Sequence, residues 1–339
     1  MGVRDYTVGG PEAMLAQERG LVEADWFKPV VDRETMKRLM ARSNTTAARD
    51  TVLWLVLLVV SGIVAYRSWG SWLAVPAFAV YGVFYGSASD ARWHECGHRT
   101  AFRSRLINDV VYHVAAFMDF REPVSWRWSH ARHHSDTIVV GRDPEIAFKR
   151  GAPLRHVILE LFAIRTVIAE SKKLVLNAVG RPTKEQADFQ PAEDLRASAW
   201  WSRLYLAVFA GVGVWCVAVG SILPAMFIGL PTFYGRWLMV VYGITQHAGL
   251  AEDVLDHRLN TRTVMMNRFN RFMYLNMNYH LEHHIFPTVP YHALPELHRV
   301  VASQLPTPHR SIWHALREIL PTLVRQRTDQ SAMIPRSVS

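Results

Sequence analysis

The sequence predicts an all-α integral membrane protein, with four transmembrane helices arranged as two hairpins under a cytosolic helical cap. Three observations carry this reading. Hydrophobic residues make up 50% of the 339-residue chain, and they gather into long uncharged runs. Those runs come in two pairs. Three clusters of histidine fall outside the runs, and counting spans puts all three on one side of a bilayer.

The first pair of spans covers about 51–66, reading TVLWLVLLVVSGIVAY, and 72–87, reading WLAVPAFAVYGVFYGS, with Arg67 between them. The second pair covers about 204–222 and 223–244, the last interrupted by Pro224, Pro231 and Arg236. Each is close to the ~20 apolar residues a spanning helix needs. Core helices of a soluble protein are the alternative, and four such runs in pairs disfavour it. The spans divide the chain into a cytosolic N-terminal segment, 1–50, a membrane domain, 51–325, and a tail, 326–339, expected to be disordered. Leu154 to Val179 alternates apolar and charged residues in the manner of a helix lying in the membrane interface, as does Ile107 to Phe117. Arg181 to Ala197 is polar and contains proline, and is expected to be a connector.

Lys and Arg crowd the segments that carry the histidines, whereas the two hairpin tips hold only Arg67. By the positive-inside rule the histidine side is cytoplasmic. The net charge of +9 is then accounted for by topology and anionic lipid rather than by nucleic acid. The first fifty residues are polar and carry no secretory signal. The two cysteines, Cys96 and Cys216, are too few for a disulfide framework or an iron–sulfur cluster.

The clusters read His94-Glu-Cys-Gly-His98, His130-Ala-Arg-His133-His134 and His280-Leu-Glu-His283-His284. Residues three and four apart share a helix face, so each cluster presents its imidazoles together. Neutral imidazole suits iron, zinc, copper and nickel, and eight nitrogens exceed the four that one zinc ion takes. Two metals are implied.

These motifs, HECGH, HARHH and NYHLEHHIFP, resemble the three histidine boxes of the membrane fatty acid desaturase and hydroxylase superfamily, from about the first span to Pro295. The resemblance implies a ninth histidine at the cytosolic end of the fourth span, where His247 stands. It therefore implies two iron ions held by His94, His98, His130, His133, His134, His247, His280, His283 and His284, with O2 as co-substrate. A water-bridging Asn that relatives place four residues before the ninth histidine is Gly243 here, leaving Gln246, Thr245 or Asn278 to hold such a water. The expected activity is removal of hydrogen from an unactivated C–H bond, most simply to place a double bond in a fatty acyl chain. Transfer of oxygen to an alkyl chain, or desaturation of a small amino-acid-type metabolite such as dihydrorhizobitoxine, uses the same ligands. The family also implies an external electron donor, ferredoxin with its reductase. The chain has no His-Pro-Gly-Gly haem motif and no glycine fingerprint for a flavin or nicotinamide. The expected location is a multi-pass position in a membrane, with a bacterial inner membrane as the expected one.

Around the boxes, Glu95, Asp90, Asp136, Glu282 and Gln246 are candidates to orient the histidine rings. Trp93, Trp126 and Trp128 are candidate walls of a substrate channel. Arg236, a charge inside an apolar run, is a candidate partner for a substrate carboxylate. A metal transporter is the reading from another class. Transporters set their ligands at the membrane midplane, whereas these boxes fall at the cytosolic ends of the spans.

Overall fold

The computed structural model describes residues 4–336 and 338. The chain forms helices in the order α1 Pro11–Glu18, α2 Arg33–Leu39, α3 Asn44–Ser68, α4 Ala74–Gly82, α5 Ala88–Gly97, α6 Arg105–Met118 and α7 Pro123–Ser135. There follow α8 Arg155–Leu161, α9 Ile164–Ala178, α10 Lys184–Phe189, α11 Leu195–Ala218, α12 Leu223–Phe227, α13 Pro231–Gly235 and α14 Trp237–His247. The C-terminal part holds α15 His257–Asn260, α16 Arg268–Met273, α17 His280–Ile285, α18 Leu294–Val301 and α19 Ile312–Arg325. Among the described residues there is no strand beyond the isolated bridges Thr263–Tyr279 and Val264–His309.

Two helical stretches are long and apolar enough to cross a membrane, Arg33–Ser68 and Ala192–Ala218, with mean hydropathy 1.9 and 1.4 over their most apolar windows. Only 17% of either window is buried within the protein. On α3 the outward face is Val52, Val56, Val59, Val60, Ile63 and Val64. A patch of that extent facing water would be an interaction surface in its own right, and lipid is the surrounding that suits it. The helix starts at Asn44, earlier than the expected 51, because the Ser43 hydroxyl caps it by accepting from Thr46 N–H.

The other two expected spans are built differently. The 72–87 run belongs to a helical rod that continues from α4 through one wide π-type turn, Val83–Ser87, into α5 and the first histidine box. Such turns insert one residue and re-aim the helix beyond them. The run 223–244 is not one helix. It breaks after α12, where Gly229 takes φ +95° and Pro231 supplies no backbone N–H, then resumes as α13 and α14. The third run, expected to reach 222, ends as helix at Ala218 and turns at Gly220, φ +59°. The connector 181–197 contains α10 and the start of α11.

The rod and the broken segment touch backbone to backbone. A Cβ on Gly235 would lie 1.9 Å from the Gly82 carbonyl oxygen, so only glycine permits this crossing. Beside it the Ser87 hydroxyl donates to Gly235 O at 2.6 Å. Trp54 on α3 is almost wholly buried and donates its indole N–H to Phe84 O inside the π turn, at 2.8 Å. The turn is thereby tied to the first apolar helix. The end of the tail is packed, contrary to the expected disorder. Gln326 is buried, and Ile334 N–H donates to Gly249 O at 2.7 Å. Residues 337 and 339 lie outside the described residues.

Candidate metal centre

Each box sits on a helix. The Glu122 carboxylate caps α7, accepting from Val124 and Ser125 N–H, and so sets the phase at which His130, His133 and His134 emerge. The first box ends α5, where Arg92 is fully buried, donates to the Phe272 and Met273 carbonyls, and ties α5 to α16. The third box is α17, and His247 is the last residue of α14.

These four segments bring nine histidines into two groups. His94, His98, His130, His134 and His283 form one, and His133, His247, His280 and His284 the other. Within each group the ligating nitrogens all lie within 4.8 Å of one another. The closest contacts are between Nε2 atoms: 2.7 Å for His94–His283, 3.0 Å for His98–His130, and 3.1 Å for both His247–His280 and His284–His280.

Hydrogen bonds at Nδ1 decide what those Nε2 atoms are. His247 Nδ1 is 2.8 Å from the Asn260 carbonyl, which can only accept, so a neutral His247 carries its proton there. His133 Nδ1 donates to Asp143 at 2.8 Å. The Thr137 hydroxyl spends its proton on His133 O at 2.7 Å and therefore accepts from His284 Nδ1 at 3.1 Å. With all four rings neutral, three of the four Nε2 atoms in this group are then bare lone pairs, and His280 has one proton at most to share between two of them. In the other group His130 Nδ1 donates to Glu145 at 3.1 Å, leaving its Nε2 bare toward His98 and His134. Bare nitrogens about 3 Å apart repel unless a cation lies among them. Nitrogens at neighbouring positions about 2.1 Å from one ion have that spacing.

Burial, reinforced by the neighbouring imidazoles, holds His94, His130, His134, His280, His283 and His284 well below the ordinary histidine range. His98 is pushed down to about 4, mainly by burial. Burial acts on His133 as well, but the Asp143 carboxylate outweighs it and holds this ring above the ordinary value. The other rings are thus kept neutral, the form that binds a metal. The donor set fits two borderline cations with nitrogen preference.

The acidic candidates from the sequence serve other purposes. Glu95 accepts from Thr100 and from Tyr291 N–H. Asp136 pairs with Arg142 and Arg132, and Glu282 with Thr263 and His298. Asp90 pairs with Arg121, and Gln246 donates to the Tyr274 hydroxyl. The ring-orienting partners are instead Asp143, Glu145, Thr137 and the Asn260 carbonyl. Of the candidates to replace the missing Asn, the Thr245 hydroxyl turns back to Tyr242 O and the Asn278 amide donates to Val264 O.

Arg236 is buried and paired with Asp119 at 3.1 Å, so it does not reach toward a substrate. Asp119 also pairs with Arg121, whose guanidinium lies between Trp93 and Trp126, 4.4 and 4.3 Å from their rings. Trp93 is 5.4 Å from the His130 ring and lines a cavity of about 90 Å³ beside the five-histidine group. Trp126 packs behind it and donates to Glu170, and Trp128 faces outward and donates to Asp194. That volume holds a few waters, far less than the pocket a drug-sized ligand needs.

The fold and two histidine groups define a helical protein able to hold a pair of metal ions. Residues 70–316 match the family model for fatty acid desaturase, and the chain belongs to that family of oxidoreductases. It is 26% identical over 249 residues to the Delta(12)-oleate desaturase of Trichosanthes kirilowii, covering 64% of this chain and 66% of that protein. It is 27% identical over 256 residues to the Omega-6 fatty acid desaturase, endoplasmic reticulum isozyme 2, of Glycine max, covering 66% of this chain and 65% of that one. To the oleoyl-12-hydroxylase FAH12 of Ricinus communis it is 25% identical over 300 residues, 79% and 76% of the two chains. The chain thus spans just under two thirds of the length of the first two. All three come from plants and lend no support to a bacterial inner membrane.

Proposed function

We propose that the chain is an O2-dependent di-iron enzyme that desaturates a fatty acyl chain. The observation that carries this is the convergence of nine Nε2-presenting histidines into groups of five and four, in a chain of the fatty acid desaturase family. Iron bound there supplies the reduction of O2 that makes an unactivated C–H bond breakable. The residues do the rest. Asp143, Glu145, Thr137 and Asn260 hold protons at Nδ1 so that Nε2 is free. Trp93 and Tyr112, lining the small cavity with His94, His98 and His130, keep bulk water from the five-histidine group. The apolar faces of α3 and α11 lie in lipid, so that an acyl substrate arrives from the bilayer, and the histidines face the cytoplasm. Electrons come from an external carrier of the ferredoxin type.

Hydroxylation of the same class of substrate is the second reading, supported by the similarity to the Ricinus communis hydroxylase over 79% of this chain. Both outcomes share the metal site and differ in where the substrate carbons rest. The small-metabolite reading loses its support with Arg236 paired to Asp119.

The test compares wild type with His133→Ala, each co-expressed with ferredoxin and its reductase, by mass spectrometry of lipid and polar extracts. A species two hydrogens lighter, confined to wild type and to the lipid fraction, is the expected result. A gain of one oxygen would favour hydroxylation. A change confined to the polar fraction, or none in either, would overturn the proposal.

A further inference from the structure

The loop after α7 carries carboxylates that reach both histidine groups. His130 and His133 are three residues apart on α7 yet belong to different groups. Asp143 Oδ2 accepts from His133 Nδ1 at 2.8 Å and from Ile138 N–H at 2.8 Å, while its Oδ1 accepts from Glu145 N–H at 2.7 Å. Its side chain has no exposure at all. Glu145 Oε2 accepts from His130 Nδ1 at 3.1 Å, and its Oε1 accepts from Ser129 Oγ at 3.0 Å. By contrast, the Nδ1 atoms of His134, His280 and His283 are buried without a hydrogen-bond partner. Each group therefore has one carboxylate-anchored ring on α7.

The loop cannot easily yield. Val140 N–H donates to Asp253 Oδ1 at 2.8 Å and Asp253 N–H to Ile138 O at 3.1 Å. Gly9 N–H donates to Gly141 O at 2.9 Å. Gly141 has φ +78°, and a Cβ there would lie 2.5 Å from Ala13 N, so the N-terminal segment is pressed directly against the loop. An anionic acceptor held this firmly fixes the ring's tautomer and orientation and raises the basicity of the far nitrogen.

We propose that Asp143 and Glu145 are positioning residues that act one on each metal site: Asp143 through His133 on the four-histidine site, Glu145 through His130 on the five-histidine site. The inference rests on the di-metal reading above. It sets a division of labour that a general structural role would not have. Loss of either carboxylate weakens one site by about 10–100-fold and leaves the other as it was.

The experiment is anaerobic titration of Fe2+ into the full-length protein in detergent, stripped of metal with a chelator. Wild type is compared with Asp143→Asn and Glu145→Gln, each also placed on His280→Ala and His98→Ala backgrounds that disable one group. On His280→Ala, where the five-histidine site remains, Asp143→Asn should leave the affinity unchanged and Glu145→Gln should lower it about 10–100-fold. On His98→Ala the two effects should exchange. Equal losses at both sites for either variant, or no loss for both, would overturn the inference. A wild type that binds two Fe2+ tightly while the carboxylate variants match it sinks this inference alone. A wild type that binds no Fe2+ sinks the di-metal reading with it. Melting of the metal-stripped variants, with Asp143→Asn expected below wild type because an amide nitrogen cannot accept from the N–H groups that its carboxylate holds, but folded at the titration temperature, separates a site effect from a failure to fold.

Discussion

Replacing Gly235 with alanine tests how the metal-bearing helices are held. The new Cβ would sit 1.9 Å from Gly82 O, 2.2 Å from Gly82 C and 2.6 Å from Gly82 Cα. Carbon and carbonyl oxygen approach comfortably to about 3.3 Å, so the crossing must open by about 1.4 Å. Both sides of the contact are backbone, and no side-chain rotation relieves it. The cost belongs at the upper end of overpacking penalties, about 3 kcal/mol. The strain also reaches the site, because α13 leads into α14, whose last residue, His247, lies 3.1 Å from His280. A ligand set tolerates displacement of only about 0.5 Å. The assay is thermal unfolding in detergent together with iron content. Gly235→Ala should melt well below wild type and lose metal, whereas Gly211→Ala, which meets nothing within 4 Å, should gain about 0.5–1 kcal/mol as a helix-interior glycine replaced. Equal melting of Gly235→Ala and wild type, or an equal fall in Gly211→Ala, would refute the reasoning.

Arg236→Gln should destabilise by about 1–3 kcal/mol, because it removes one of the two guanidinium groups on buried Asp119 and leaves Arg121 as its remaining counterion. Arg105→Gln, whose side chain is 75% exposed in its pair with Asp109, should change melting by less than about 0.5 kcal/mol. Trp54→Phe removes the bond to Phe84 O and should cost about 1 kcal/mol, read in the same melt. The Ile334 amide should be protected in hydrogen exchange to the level of the α19 interior, since it donates to Gly249 O. Exchange at the free-peptide rate would restore the disordered tail.

Legibility in the sequence tracks local spacing. Eight histidines announce themselves because three- and four-residue intervals put them on one helix face. His247 emerges only through the family resemblance, as it stands alone in its helix. The acids nearest the boxes in sequence, Glu95, Asp136 and Glu282, are not those that orient the rings. Helical geometry turns them toward Thr100, Arg142 and His298. The true partners, Asp143 and Glu145, depend on a loop that doubles back on α7, and the one hint is a pair of acids flanking Pro144. Arg236 misleads because its counterion, Asp119, is 117 positions away. The break in the last apolar run is legible in Pro224 and Pro231, and Gly229 completes it. The packed tail is not, since its partner is a backbone carbonyl, which carries no sequence signature.

The central claim is that the two histidine groups hold two irons. Its most direct measurement is the metal content and Mössbauer spectrum of wild-type protein purified from iron-supplemented cells. The account predicts two irons per chain, one for each group. One iron, zinc in its place, or no metal would contradict it.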